Sequence, residues 1–289
     1  MSWLYEAVGR LTENGIRLAI RLLGRRVHKT DAPWLNSPCG PKGWIGEQLY
    51  EHVAEREHLE ISRGDVEAGL IPDFDRLASP QFDPSRVRTE VRQFYEHTAQ
   101  YQVEVWSEAA ILTRPFLWFL VTFVSRRMDQ LNFPVSSLEV SRGMVSEVLQ
   151  LVDRATHKVV YTGWLRKLVR TGRVIYVGFY SLGQPALSIG PCVKVTFPLP
   201  LGSSTVFLRP EVEADGSFKL ISAGSRFGDP GFYRIVETDA NHWKVRYIRS
   251  LQEFFHVWVD ESGTLRTDHS VRFLGMTVLR LHYKLTRAR

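Results

Sequence analysis

Cysteine is scarce in this chain of 289 residues, and its two cysteines, Cys39 and Cys192, lie far apart in the sequence. They form no CxxC pair and no cysteine and histidine spacing of the kind that binds zinc. The sequence therefore gives no sign of a disulfide framework or a zinc cluster. It indicates two reduced thiols in a cytoplasmic protein.

Motifs that bind metals, phosphates or dinucleotides are missing as well. The nine histidines form no HxH or HExxH motif, and the carboxylates show no paired spacing. There is no GxSxG elbow, no GxxxxGK[ST] loop and no GxGxxG turn between a strand and a helix. The usual hydrolase, NTPase and dinucleotide-dependent functions are not supported, and we expect neither a metal nor a cofactor.

Long apolar runs are absent too. The strongly apolar run Pro115 to Val124 has ten residues, whereas a helix that crosses a bilayer needs about 20. The run is typical of a buried core helix. Alternatively, it dips into a membrane face together with the N-terminal helix described below.

Basic charge is concentrated at the N-terminus. The formal net charge is +6, and six basic and two acidic residues precede Asp31, which leaves the remaining chain nearly neutral. A nucleic-acid-binding domain would carry a basic stripe with exposed aromatic residues across its body, so we expect no nucleic-acid partner. The oligomeric state is not predicted.

Residues 3–27 have the spacing of an amphipathic helix, with leucines such as Leu18 and Leu22 on one stripe and arginines such as Arg17 and Arg21 on another. The arginines interrupt any signal-peptide core. The helix either docks on the body or anchors the chain to a membrane surface, peripheral to the inner membrane face. A transit peptide is a third alternative.

Aromatic residues are abundant, with eight Trp, ten Tyr and sixteen Phe, and they can fill a core or line a ligand cavity. After Pro134, short β-branched and aromatic runs alternate with turn signals. They predict strands at 140–152, 157–168, 173–182, 191–198, 204–213, 217–225, 231–237, 242–249, 253–260 and 264–285, with a break at Gly275.

The predicted fold class is α+β. N-terminal helices cover a C-terminal, many-stranded antiparallel β-barrel or strongly curved sheet, which is lipocalin-like or START-like by analogy of architecture. We expect three regions: the amphipathic helix at 1–30, a helical and loop region at 31–134, and the β domain at 135–289. Helices are expected from Glu47 to about Glu60 and from Pro84 to about Tyr101.

Charged and aromatic residues within apolar strand contexts are candidates for ligand binding. Charges are seldom buried unless they are paired, so inward-facing pairs would mark a structural clamp or a recognition point. The glycine-rich string from Gly224 to Tyr233 could hold the backbone close to a ligand, or form a tight hairpin with an aromatic plug. The ligand-binding candidates are Arg209, Glu211, Arg226, Phe227, Asp229 and Trp258.

Acid–base chemistry would require proton donors and acceptors inside the same cavity. His256 lies between Phe254 and Trp258 on a strand that we expect to be buried on both faces, and it follows Glu253 closely. The catalytic candidates are His256, Glu253 and Tyr233.

Three functions follow from these patterns. The first is binding of an apolar small molecule, lipid or polyketide-like, in a β-barrel cavity. The second is a cofactor-independent cyclase or isomerase that acts on such a substrate by acid–base catalysis. The third is a peripheral membrane protein that contacts the membrane surface through residues 3–27.

Overall fold

The computed structural model describes residues 14, 15, 17–41, 48–109, 144–169, 172 and 174–288. The described chain is mostly antiparallel β-sheet with few helices. The predicted apolar segment Pro115 to Val124, and residues 3–13 of the predicted N-terminal helix, lie outside the described residues.

The first part of the chain alternates short helices and strands. Residues 17–23 are helical and are called α1. There follow β1 (Arg25–His28), α2 (Leu49–Glu57), β2 (Leu59–Arg63), α3 (Thr89–Glu96) and β3 (Tyr101–Ala109). Short 3-10 turns occupy Pro33–Leu35, Phe74–Leu77, Pro84–Arg86 and Thr98–Gln100.

The second part consists of strands. They are β4 (Met144–Asp153), β5 (Val159–Leu168), β6 (Val174–Gly183), β7 (Cys192–Leu199), β8 (Gly202–Val212), β9 (Phe218–Ile221), β10 (Phe232–Glu237), β11 (His242–Ile248), β12 (Leu251–Val259), β13 (Leu265–Phe273) and β14 (Met276–Arg287). Gly275 lies between the last two strands with a φ of +83°, so the predicted break at this glycine is confirmed.

The strands form one branched sheet. Its main path runs β2-β4-β5-β6-β7-β8-β9-β12-β13-β14-β3. The branch arises at β8, which pairs with β10 through its first half and with β9 through its second half. From β10 the branch continues through β11 to β1. All of these pairings are antiparallel. Strand β3 contacts β4, but among the described strands the two are not paired, so the sheet is not closed.

The sheet buries one face, here called the inner face, in a single core. Residues from β3 to β10 and from β12 to β14 contribute to it. Residues 68–95 add a group of aromatic side chains, among them Phe74, Phe82 and Phe94. Because inner-face residues of so many strands meet in one cluster, the sheet must curve around them.

Two smaller clusters cover parts of the opposite, outer face. Helix α2 packs Leu49, Tyr50 and Val53 against β4, β5 and β6. Residues 27–35 pack against β7, β8, β10 and β11, with Leu35 fully buried. These segments therefore lie on the outside of the sheet and do not cover the inner face.

Two helix predictions need correction. The helix predicted over residues 3–27 does not extend to Val27, because the backbone of Arg25 to His28 pairs with β11. The helix predicted from Pro84 to Tyr101 is a 3-10 turn followed by the shorter α3, which ends at Glu96. The first part of the chain was also expected to contain helices and loops alone, yet it supplies β1, β2 and β3.

Candidate functional site

A small cavity of about 60 Å³ lies within the inner core. Four strands contribute an aromatic side chain to its wall: Trp164 from β5, Tyr180 from β6, Phe255 from β12 and Tyr283 from β14. Ligand sites usually have about 300–1,000 Å³. A lipid-sized occupant would therefore have to displace some of these side chains. The remaining lining residues are Leu70, Phe94, Tyr95, Val193, Val195, Leu208, Leu220, Thr267 and Leu285.

Next to this cavity, polar side chains lie on the inner face, towards the end of the sheet where β4 begins. Arg166, Glu253 and His269 each lie two residues beyond a cavity-lining residue of the same strand. Because residues i and i+2 share a face of a strand, they point to the same side as the cavity wall. Tyr176, which is paired with Arg166, belongs to the same group. We call Arg166, Tyr176, Glu253 and His269 the inner polar layer.

Arg166 is enclosed by aromatic rings. Its guanidinium carbon lies 3.6 Å from the ring centroid of Trp164, 5.4 Å from that of Tyr176 and 5.6 Å from that of Tyr283. The residue is only 7% exposed, and its Nε has no hydrogen-bond partner. No carboxylate of the described residues forms an ion pair with it, although a buried charge ordinarily requires a partner.

His269 is also buried and unsatisfied. Its ring stacks on Phe255 with the centroids 3.8 Å apart, and neither ring nitrogen has a hydrogen-bond partner. The nearest carboxylate oxygen, Oε2 of Glu253, is 3.8 Å from Nε2, which is beyond hydrogen-bond distance. The layer therefore contains three buried nitrogen atoms without a hydrogen-bond partner, namely Nε of Arg166 and both ring nitrogens of His269.

Tyr176 of the layer and the adjacent Tyr180 and Tyr283 keep neutral hydroxyl groups. The hydroxyls of Tyr176 and Tyr180 are 2.8 Å apart and share a hydrogen bond. Burial raises the pKa of both, and of Tyr283, while the charge of Arg166 acts in the opposite direction. They can donate and accept hydrogen bonds at the boundary between the cavity and the polar layer.

A second cavity, of about 180 Å³, lies on the outer face. Its charged groups are paired within the protein: Lys29 and Arg56 both donate to Glu237, at 3.0 and 2.6 Å. Glu57 accepts from the hydroxyl of Tyr161 at 2.9 Å, and burial raises the pKa of Glu57. The lining residues are Lys29, Asn36, Ser37, Cys39, Arg56, Glu57, Glu237 and Trp243.

Lys194 belongs to the same paired network. It is 4% exposed, and its ammonium group donates to the backbone carbonyls of Trp34 and Asn36. Burial lowers the pKa of Lys194 to about 7 and raises the pKa of Cys39 to about 12. Since these groups have protein partners, the network fixes residues 29–39 to the sheet. The inner polar layer is the stronger candidate for a ligand site.

The structure does not bring the three predicted catalytic residues together. Glu253 faces the inner core, whereas His256 lies on the outer face, where its Nε2 is 3.0 Å from the hydroxyl of Ser217. Burial lowers the pKa of His256. Tyr233 is fully buried in the outer cluster with residues 27–35, and its hydroxyl donates to the carbonyl of Asp229 at 2.6 Å.

The predicted ligand-binding residues lie apart from the inner polar layer. Arg209 and Glu211 form an ion pair with each other at 2.6 Å on the surface of β8. Asp229 accepts from the backbone N–H groups of Ser225 and Arg226 and so fixes a tight loop. Phe227 packs against Trp34 and Tyr233, and Trp258 stacks on His256 on the outer face.

Sequence reasoning missed Arg166, His269 and Tyr176. A signal for Arg166 was present, because Trp164 and Arg166 share a side of a strand in which apolar and aromatic residues predominate. For His269 the flanking residues Asp268 and Ser270 are polar, so the local pattern gives no indication of burial.

The fold and the inner face define an antiparallel β protein with an aromatic-lined cavity next to a buried polar layer. No known protein family matches the chain, and no solved structure does. One curated relative is an uncharacterized membrane protein, YndJ, of Bacillus subtilis (strain 168), which is 24% identical over 247 residues. The match covers 84% of this chain but only 41% of the relative. In the described part of the chain, no helix has the length and apolar character needed to cross a bilayer.

Proposed function

We propose that the protein binds an apolar small molecule, lipid or polyketide-like, on the inner face of its barrel-like sheet. The observation that carries this proposal is a cavity walled by aromatic residues from four strands. Such residues provide large, rigid apolar surfaces, and ligand sites commonly combine them with a few convergent polar groups. The inner polar layer supplies those groups.

The cavity is too small to hold a lipid-sized ligand without movement of its walls. At about 60 Å³ it has room for only a few non-hydrogen atoms. A larger ligand must therefore displace side chains of the wall, of which Tyr180 and Phe255 are only partly buried. The free and bound states should consequently differ in the arrangement of these rings.

A cavity-filling substitution tests the proposal. Thr267 lines the cavity on the inner face of β13, and we expect Thr267→Phe to reduce binding of the neutral probe N-phenyl-1-naphthylamine at least tenfold. Ser270→Phe is the matched control, because residue 270 lies on the opposite face of the same strand. If Thr267→Phe fails to fold, Phe255→Ala, which enlarges the cavity, should increase probe binding. Unchanged probe binding in folded Thr267→Phe, or in Phe255→Ala, would contradict the proposal.

A second candidate function is association with a membrane surface at the cytoplasmic face. The observation that favours it is the exposure of Leu18, Leu22 and Leu23 in α1, at 58, 70 and 71%. Arginines 17 and 21 lie on the same short helix, and a basic amphipathic helix suits an anionic lipid surface. The name of the Bacillus relative is consistent with this candidate. The acid–base alternative has no comparable support, since its three residues lie apart.

A further inference from the structure

We infer that the inner polar layer recognises a carboxylate group on the ligand, and that Arg166 is the residue that pairs with it. The inference rests on the proposed function, because the apolar part of such a ligand would occupy the neighbouring aromatic cavity. It narrows the ligand class to carboxylic acids with an apolar body.

Arg166 carries a positive charge inside the core. A guanidinium group keeps its proton in proteins, so Arg166 is a positive charge within a core that leaves it 7% exposed. The rings of Trp164, Tyr176 and Tyr283 stabilise it through cation–π contacts. They do not replace an anionic partner, and no carboxylate of the described residues, including that of Glu253 in the same layer, forms an ion pair with Arg166. A ligand anion would fill that role.

The geometry of the Arg166 guanidinium suits a carboxylate. The Nε of Arg166 is the atom without a hydrogen-bond partner. An arginine that offers Nε together with a terminal nitrogen presents two parallel N–H groups, which match the two oxygens of a carboxylate. In the same layer, both ring nitrogens of His269 also lack a hydrogen-bond partner, so they are available to a polar group of the ligand.

The charge of Glu253 favours a carboxylate over a phosphate as the ligand group. Glu253 lies in the same layer, 3.8 Å from His269. Its own carboxylate repels an incoming anion, and this repulsion grows with the charge of that anion. A phosphate monoester carries close to two negative charges at pH 7, whereas a carboxylate carries one. The layer is therefore better suited to the monoanion.

Three ligands with the same apolar chain provide the test: decanoate, decanol and decyl phosphate, with binding to the full chain measured by isothermal titration calorimetry at pH 7. We expect decanoate to bind at least tenfold more tightly than either of the others. Arg166→Gln should weaken decanoate binding by about 10- to 100-fold, which corresponds to about 1.4–2.8 kcal/mol. It should change decanol binding less than twofold.

The matched control is Lys167→Gln, which removes the same charge one residue away, on the opposite face of β5. It should leave decanoate binding unchanged. Arg166→Lys keeps the charge but loses the paired N–H groups, so we expect a loss of decanoate affinity smaller than that of Arg166→Gln. If Arg166→Gln does not fold, Arg166→Lys takes its place in the test.

The outcomes separate the inference from the proposed function. If decanoate and decanol bind equally, or if decyl phosphate binds best, the carboxylate inference is overturned while ligand binding stands. If Arg166→Gln and Lys167→Gln weaken decanoate binding equally, Arg166 is not the recognition residue. If none of the three ligands binds, the proposed function fails and the inference fails with it.

Discussion

At the scale of single residues, two buried cations on opposite faces of the sheet, Lys194 and Arg166, differ in their hydrogen-bond partners. On the outer face, Lys194 is 4% exposed and donates to two backbone carbonyls. On the inner face, Arg166 has aromatic neighbours but no carboxylate partner among the described residues. A satisfied buried charge indicates a structural role, whereas an unsatisfied one indicates a place for a ligand group.

The lowered pKa of Lys194 predicts how stability depends on pH. In the folded chain this pKa is about 7, compared with an ordinary value of 10.5, so the unfolded chain binds more protons between those pH values. The contribution of Lys194 to the free energy of unfolding therefore rises from pH 7 towards pH 10. We expect Lys194→Met to remove this rise, as measured by urea denaturation at pH 7, 8 and 9.

The control for this measurement is Lys158→Met, because Lys158 is exposed at the end of a turn. It should retain the pH dependence of the wild-type chain. Lys194→Met will lose stability at every pH, since the carbonyls of Trp34 and Asn36 lose their donor, so the slope with pH is the decisive quantity. The same slope in both variants would show that Lys194 is ordinarily charged in the fold.

At the scale of elements, the strands after residue 143 were the most predictable part of the chain. The alternation of Leu281, Tyr283 and Leu285 with polar residues in β14 has the period of a strand with one buried face, and turn residues marked most of the boundaries. Strand β3 has the same alternation, with Val103 and Val105 alternating with Gln102 and Glu104, but it directly follows a helical pattern and was missed. The partner of β3 is β14, about 180 residues later, and local patterns do not show such pairings.

Helix α1 is the element whose role is most directly testable. We expect the full chain to bind liposomes that contain anionic lipids, and the triple substitution Leu18→Gln, Leu22→Gln and Leu23→Gln to weaken this binding at least tenfold in a cosedimentation assay. Binding should also decrease with added salt, because the attraction between arginines and anionic lipids is screened. Substitution keeps β1 intact, whereas deletion of the first 30 residues would remove a strand of the sheet.

The control for the helix is Leu187→Gln, which alters an exposed leucine in the loop between β6 and β7. It should bind liposomes like the wild-type chain. Equal binding by the triple variant and the wild type, or no binding by either, would leave α1 without a membrane role.

At the scale of the whole molecule, the sequence predicted aromatic residues on the inner face but not the size of the cavity or the location of the polar groups. Abundant aromatic residues on antiparallel strands led to the expectation of a ligand-sized cavity lined by several strands. The cavity has an aromatic side chain from each of four strands, but at about 60 Å³ it is smaller than a typical ligand site. The inner polar layer combines β5, β6, β12 and β13, which are far apart in sequence. Its composition depends on which strands become neighbours across the curved sheet, and a single sequence does not contain that information.

The alternation of side chains between the two faces of the sheet explains why most of the predicted site residues lie elsewhere. Glu253 and His256 are three residues apart on β12, so they point to opposite faces of the sheet. In the loop from Gly224 to Tyr233, Phe227 and Tyr233 pack on the outer cluster with residues 27–35, whereas Phe232 belongs to the inner core. In both cases the residue types suit a ligand site, but the sequence did not predict the face of the sheet on which each side chain lies.

Ligand binding on the inner face is the central claim, and native mass spectrometry of the full chain tests it most directly. The purified protein would be measured before and after incubation with a bacterial lipid extract, under native and under denaturing conditions. The account predicts a discrete additional mass under native conditions, lost on denaturation and absent from Thr267→Phe. Identical masses under all of these conditions would contradict it.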